Sequence, residues 1–593
     1  MRQLETAFTH QLNPKKVLCE YPRPQLVRAS YLNLNGEWDY CITKNENEYA
    51  YEGKILVPFS PEAALSGVGR MVDPDDFLIY HKVVDLPEGF RKDRLILHFG
   101  AVDQEAKIFV DETQVQQHLG GFTPFSVDIT DYVSQHRFSL KVIVKDITDT
   151  SYRQTGKQRL KRGGIFYTPQ SGIWQTVWLE SVPNGYIKDL LIRADFDAAT
   201  VKFQMTSDPK DDQIQTEVRI RFGQAEYGKW TFSGDTAEIK LKDMNAWTPE
   251  TPNLYQYELR HGEDIVSGYF GMRKFERKAD EKGIMRFYLN NQPYFLSGVL
   301  DQGYYPDGLL TNPTDEALIN DIQTMKDYGF NFLRKHIKIE PLRWYYHCDR
   351  LGMIVWQDMI NGSTSKDVKI HHFLSMIKIH LNDAWHLFFG RRHKQGRDQY
   401  LVELKEMLMH LKNITCISTW VPFNESWGQF HALKVEKLVK EMDPTRLVDH
   451  ASGWSDQKGG DYHSRHIYFQ KINFPKRKAK RRILALTEFG GYSMRLDEHS
   501  FNHEAIFGYK IFATLAELNQ AVEELYEKQI YPEIEKGLNV LVYTQLSDIE
   551  DEVNGIVTYD RKVEKIDKQL LRRINETLRK KFEASWSCFI HNR

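Results

Sequence analysis

Hydrophobic positions come in short runs up to about residue 275. LILHFGAVD (95–103), AKIFVD (106–111), FSLKVIVKD (138–146) and TVWLESV (176–182) are rich in β-branched and aromatic residues, and Gly, Pro, Asn and Asp bound them. That pattern predicts strands joined by turns, with hardly a helical period among them. So long a stretch of strand exceeds one compact sandwich. A break at Pro183-Asn184-Gly185 divides it into a jelly-roll-like sandwich of about eight to ten strands and a second, smaller sandwich. His261-Gly262-Glu263-Asp264 reads as a hairpin turn near the end of the second.

From about residue 277 the period changes. Asn312 as cap, Pro313 in the first helical position and acids at 315 and 316 predict a helix start. Leu318, Ile319, Ile322 and Met325 then recur at helical spacing, and Gly329 stops the helix. FNFLRKH (330–336) follows as a strand, PLRWYYHCDRLG (341–352) as a helix and MIVWQDM (353–359) as a strand. TCISTWV (415–421), RLVDHAS (446–452), RRILALTEF (481–489) and LNVLVYTQL (538–546) are further apolar strands. Apolar strands separated by amphipathic helices imply a parallel sheet covered on both faces, and about eight such units make a TIM (β/α)8 barrel. The expected domains are therefore residues 1–183, 184–276 and 277–593. The basic run PKRKAKRR (475–482) is expected to be a solvated loop.

Composition narrows the function. The 593 residues carry 79 Lys+Arg against 81 Asp+Glu, a formal net charge of −2, which removes the usual motive for a nucleic-acid or anionic-membrane partner. No run approaches the length of a membrane span, and the N-terminus lacks the apolar core of a secretory signal. Five scattered cysteines (19, 41, 348, 416, 588) without a Cys-x-x-Cys argue against disulfides or a zinc cluster and fit a reducing cytoplasm. Aromatics reach 13%, which suits core packing and also flat rings under the apolar faces of sugars.

In a barrel, polar residues at the C-terminal strand ends are the candidates for chemistry. Those ends offer Asp301, Arg334, His336, Asp358, Asn424, Glu425, Asp449, Glu488, Gln545 and Asp548. Glu425 sits in TWVPFNESWG beside Asn424, and Glu488 in ALTEFGGY just before a Gly-Gly. A lone glutamate at a strand end often caps a helix or pairs with an arginine. Two on separate strands facing one cleft are what glycosidic hydrolysis requires: a protonated acid for the leaving oxygen and an ionised partner for the anomeric carbon.

With these residues the chain resembles glycoside hydrolase family 2 along nearly its whole length. YPRPQLVRASYLNLNGEWDY (21–40), LHFGAVDQEAKIFVD, GGFTPFSVDIT (120–130) and SGIWQTVWLE (171–180) look like that family's jelly-roll sugar-binding domain. WTPETPNLYQYEL (247–259) looks like its immunoglobulin-like sandwich. FLSGVLDQGYYP, GFNFLRKH, DRLGMIVWQDM, WVPFNESWG and LTEFGG look like its barrel strands in order. The resemblance implies a retaining β-glycosidase with Glu425 as acid/base and Glu488 as nucleophile. Asn424 would bind the sugar 2-hydroxyl, and Arg334 would lie under the nucleophile and hold it ionised.

The departures matter for the substrate. Where galactosidases of the family carry an Arg-His-Glu-His-His stretch, this chain has Asp301-Gln302-Gly303-Tyr304-Tyr305, so no magnesium or sodium is expected there and no cofactor is expected. No match to the Asn-x-Lys element of glucuronidases is found. Lys335 flanks the inward Arg334 and should point away from the barrel interior. YTQLSD (543–548) stands where a tryptophan ends the eighth strand in relatives, so Gln545 or Asp548 is expected to touch sugar hydroxyls. His463, in a loop DYHSRHIY (461–468), is a further candidate cleft contact. Asp103 is a candidate for a jelly-roll loop that closes the cleft. The expectation is a cytoplasmic, exo-acting β-galactosidase; members of the family commonly self-associate, and the sequence leaves the oligomeric state open. β-Glucuronidase, β-mannosidase and pentopyranosidase remain alternatives within the family, and a non-catalytic carbohydrate-binding protein is the alternative of another class.

Overall fold

The computed structural model describes residues 4–211, 213–364, 371, 373–374 and 379–586; Cys588 lies outside them. The four cysteines within them are free. No described helix is long and apolar enough to cross a membrane.

Period-two alternation builds the first sandwich. In Glu105–Val110, Ala106, Ile108 and Val110 are buried while the residues between them are half-exposed, as a sheet with one face on a core requires. A four-stranded and a six-stranded sheet, with strands between Tyr31 and Val182, enclose this core. Sheets of three and four strands between Tyr186 and Phe270 form the second sandwich. Its last hairpin pairs His261 with Asp264 across two residues, and Gly262 supplies the left-handed φ of +58° that such a turn needs.

The third unit is an eight-stranded parallel barrel. Its strands are β1 (Leu296–Asp301), β2 (Phe332–Lys335), β3 (Ile354–Asp358), β4 (Ile417–Val421), β5 (Leu447–Val448), β6 (Tyr462–Ile467), β7 (Ile483–Gly490) and β8 (Leu538–Thr544). They pair in the order β5-β4-β3-β2-β1-β8-β7-β6. Between β5 and β6, where no strand pairing closes the ring, Asp461 N–H donates to the Val448 carbonyl at 2.8 Å and Val448 N–H donates to the Asp461 carboxylate at 2.9 Å. Every residue of β1, β3, β4 and β8 is buried, because barrel strands face side chains within and helices without. The hairpin Phe275–Ala279/Met285–Leu289 packs Phe275, Phe287 and Leu289 into the same core.

Three local expectations change. The helix after β1, α1, spans Asp315–Asp327 with the extended Thr314 as its N-cap; Asn312 instead donates its side-chain amide to the Thr314 carbonyl. DYHSRHIY is not a loop but contains β6. The basic run forms a turn of helix over Lys476–Ala479, and its Arg482 is buried against Asp456. Where the three domains meet they leave a cavity of about 240 Å3 lined by Trp178, Leu190 and Arg343 among others, and neither catalytic candidate lines it.

Candidate active site

Alternation along the strands decides which tip residues meet. In the register, Leu300 pairs with Arg334 and Arg334 with Trp356, while Asp301 pairs with Lys335 and Lys335 with Gln357. The first set faces the barrel interior. The second faces the helical layer, where Gln357 accepts from the Tyr345 hydroxyl. Arg334, His336 and Asp358 therefore point into the barrel mouth, and Lys335 points away as expected.

Arg334, with no exposed side-chain surface, is the hub. Its Nε and Nη2 each lie 3.0 Å from an oxygen of Asp358, the planar fork that suits a guanidinium to a carboxylate. Nη2 also donates to Asn424 Oδ1 at 2.8 Å, and Nη1 reaches Glu488 Oε1 at 3.3 Å. With its oxygen occupied, Asn424 keeps a buried Nδ2 that has no partner among the described residues. This amide is a donor already oriented for an acceptor that enters the cleft. His336 Nδ1 lies 2.7 Å from Asp358 Oδ2.

Glu425 and Glu488 stand at the tips of β4 and β7. Glu425 and Ser426 have left-handed φ values of +50° and +69°, a backbone conformation that costs energy in non-glycine residues and concentrates at active sites. The chain holds it because Glu425 N–H donates to the Ser452 carbonyl at 2.9 Å. His466, on β6 and in register with Glu488, lies between the two carboxylates. Its Nδ1 is 2.8 Å from Glu425 Oε1 and 3.4 Å from Glu488 Oε2. One oxygen of each carboxylate and this nitrogen all lie within 4.8 Å of one another. Tyr468 donates its hydroxyl to Glu488 Oε2 at 2.7 Å and is 3.0 Å from Thr544 Oγ1 at the end of β8.

Burial sets the charges here. It pushes His466 down to about 4, and the Arg334 and Lys157 charges act the same way, so the imidazole is neutral near pH 7. Arg334 can only donate, so the His466 Nε2 at 3.4 Å from it accepts, and Nδ1 carries the proton. That proton is donated to Glu425 Oε1. An acidic proton on Glu425 would then sit on its other oxygen. Burial likewise lowers His336 to about 3. Glu488 is pushed above the ordinary carboxylate range by burial and by Glu425, against the pull of His466, Arg334 and the Tyr468 hydroxyl. Asp358 goes the other way: despite burial, Arg334 and His336 hold it below that range.

Other candidates lie elsewhere. Asp301 is in the outward layer, where Lys335 Nζ bridges it to Glu340 at 2.7 Å on each side; it does not face the cleft. His463 occupies an outward position of β6, against Asp456 and Arg482, because Tyr462, Ser464 and His466 take the inward ones. Gln545 has both ends of its amide engaged, by Gln302 at 2.6 Å and Asn554 at 2.8 Å. Asp548 is paired with Lys565 at 2.6 Å. Asp103 is packed within the jelly roll, taking a 2.8 Å hydrogen bond from Gln158. The neighbouring segment 154–157 reaches the barrel instead: Thr155 and Gly156 donate to the Asn361 carbonyl at 3.1 and 2.8 Å. His466, Tyr468 and Thr544 were missed in the sequence, although the alternation Tyr462-Ser464-His466-Tyr468 carries a strand period. Glu425, His466 and Glu488 are also the described residues whose donor atoms converge closely enough for a cation, and Arg334 already opposes the charge of Glu488 there.

Three family models match consecutive stretches of the chain. They are "Glycosyl hydrolases family 2, sugar binding domain" over 69–183, "Glycosyl hydrolases family 2" over 185–273 and "Glycosyl hydrolases family 2, TIM barrel domain" over 283–481. Similar proteins include a β-glucuronidase of Streptococcus agalactiae, 23% identical over 459 residues and 72% of each chain. A β-galactosidase of Thermoanaerobacter pseudethanolicus is 23% identical over 440 residues, covering 70% of this chain and 54% of that one. Among solved structures, a β-glucuronidase from an uncultured Clostridium has a TM-score of 0.72 at 17% identity, covering 94% of this chain and 99% of the other. A β-galacturonidase from Eisenbergiella tayi bound to galacturonate has a TM-score of 0.69 at 17% identity, again covering 94% and 99%. At such identities these structures establish likeness of fold. The family models account in order for the first sandwich, the second and the barrel as far as residue 481, which includes Glu425, and the chain belongs to glycoside hydrolase family 2.

Proposed function

We propose that the chain hydrolyses terminal β-glycosides by double displacement, with Glu488 as nucleophile and Glu425 as acid/base. The observation that carries this reading is the approach of the two carboxylates, with an oxygen of each inside 4.8 Å. Retaining enzymes need about 5–5.5 Å between the two groups, whereas inverting ones need about 6.5–9.5 Å to seat a water. In the first step Glu488 attacks the anomeric carbon while Glu425 protonates the departing oxygen. In the second, Glu425 takes a proton from water, which attacks the same carbon and releases Glu488. Arg334 supports the ionised nucleophile, and Tyr468 adds a hydrogen bond to it. Asn424 Nδ2 is placed to meet a sugar hydroxyl. The segment 154–157, which reaches the barrel at the Asn361 carbonyl, favours an exo mode. A neutral β-galactoside, expected from the sequence, and a uronide, named for several relatives, fit this carboxylate pair equally. The choice rests with whatever meets the rest of the sugar ring.

An activated 2-deoxy-2-fluoro glycoside is expected to form a covalent ester on Glu488, read by peptide mass spectrometry. The Glu425→Ala variant is expected to lose activity mainly on substrates with poor leaving groups, where general-acid help is typically worth about 10²–10⁴-fold. An ester on Glu425, or inversion at the anomeric carbon, would overturn the assignment.

A further inference from the structure

Lys157 is a largely buried residue, 7% exposed, whose ammonium has no ion-pair partner among the described residues. Its stem packs into the protein while Nζ keeps access to solvent, which leaves the charge available to an entering anion. The other basic side chains around the barrel mouth are engaged. Arg334 holds Asp358 and Glu488, Lys335 holds Asp301 and Glu340, and Lys338 holds Glu340 at 2.9 Å.

The fold places Lys157 at the cleft deliberately. Gly156 before it has a left-handed φ of +60°, and a Cβ there would stand 3.1 Å from the Ile337 carbonyl, so the loop approaches the barrel more closely than a side chain would comfortably allow. On the other side, the Lys157 carbonyl accepts from Tyr167 N–H at 3.0 Å. Its Nζ lies 5.9 Å from the centre of the Phe166 ring, and Phe166 stands edge-on to Trp427, two residues past Glu425. The charge is felt inside the site, since it helps to lower both His336 and His466. Asn361, whose backbone receives this loop, keeps both atoms of a buried side-chain amide without a partner among the described residues.

We propose that Lys157, delivered by the jelly-roll domain, recognises a carboxylate on the glycone, so that the substrate is a β-linked uronic acid. This rests on the glycosidase reading and deepens it. A uronate brings the anion that Lys157 lacks.

The test compares 4-nitrophenyl β-D-glucuronide and β-D-galacturonide with the corresponding glucoside and galactoside. One of the uronides is expected to exceed its neutral counterpart in kcat/KM by at least about tenfold. In Lys157→Met the uronide-to-neutral ratio of kcat/KM is expected to fall by about 10²-fold, the scale of a lost hydrogen bond to a charged group, and Lys157→Arg should restore part of it. Faster turnover of the neutral glycosides by the unmodified protein, or a ratio unchanged in Lys157→Met, would overturn the proposal and leave the glycosidase reading standing. If no glycoside were turned over, the hydrolase reading would fall. Calorimetry with free D-galacturonate and D-glucuronate against D-galactose and D-glucose then decides the carboxylate site alone: tighter binding of a uronate that Lys157→Met abolishes supports it, and equal binding overturns it.

Discussion

Arg334 joins Asp358, Asn424 and Glu488 through one planar group, so the positions of Glu488, the proposed nucleophile, and of the amide next to Glu425, the proposed acid/base, are fixed together. Tyr468 acts on Glu488 from the side of β6. Its hydroxyl pulls the Glu488 carboxyl down, against burial. Removing it in Tyr468→Phe therefore raises the value for Glu488. The acidic limb of kcat/KM, which reports the free enzyme, is expected to move to higher pH, with an accompanying loss of about tenfold or more in the plateau. A pH profile that keeps its acidic limb in place would count against this role. At this scale the sequence was informative where chemistry and strand position coincide. Glu425 and Glu488 are legible because a carboxylate at the tip of an apolar strand has little structural reason to be there. His466 was not, because one imidazole among the polar residues of DYHSRHIY looks like a loop residue until its neighbours are seen to alternate.

Elements carry the site through register. Alternation sends Arg334, His336 and Asp358 inward, and it sends Asp301 and Lys335 into the helical layer. A strand tip read only as a place therefore promises too much, as it did for Asp301. The register itself depends on close contact between β1 and β2. At Gly298 an added Cβ would fall 2.1 Å from the Phe332 carbonyl oxygen, a clash with backbone that no rotamer relieves. Gly298→Ala is expected to separate these strands at a cost of about 1–3 kcal/mol, lowering the midpoint of thermal unfolding. It should also reduce kcat, since Arg334 follows Phe332 by two residues. An unchanged midpoint would show that the strands tolerate the methyl.

At the scale of the molecule the jelly roll completes the cleft. Its Gln154 donates to Glu403 at 3.1 Å and accepts from Arg391 at 2.8 Å, and Arg391 in turn donates to the Gly428 carbonyl, in the loop after Glu425, at 2.9 Å. Glu403 lies on the helix Lys394–Leu411, and burial pushes its carboxyl up to about 7. A carboxyl raised on folding contributes stability that is complete below its unfolded value, near pH 4.3, and that is lost as pH rises through about 7. Glu403→Gln removes that dependence while keeping the shape. Relative to the unmodified protein, its unfolding midpoint is expected to be higher at about pH 8.5 than at about pH 5; a difference that does not change with pH would refute the linkage.

The sequence by itself determined the elements and the strand tips at which Glu425 and Glu488 stand. Period-two runs followed by alternating strands and helices specify sandwiches and then a barrel, because each element must bury one face. Glu425 and Glu488 lie at strand tips that those runs define. Only the tertiary structure decided what surrounds them. His466, Tyr468 and Thr544 meet Glu425 and Glu488 from strands far away in the chain, and the Lys157 loop arrives from another domain. Gln545 and Asp548, which looked available, are already bound to Asn554, Gln302 and Lys565. Such partnerships depend on which side chains a closed barrel turns inward and which loop lands on its mouth. Local sequence fixes the direction of a side chain along its own strand, but not the group it meets across the cleft.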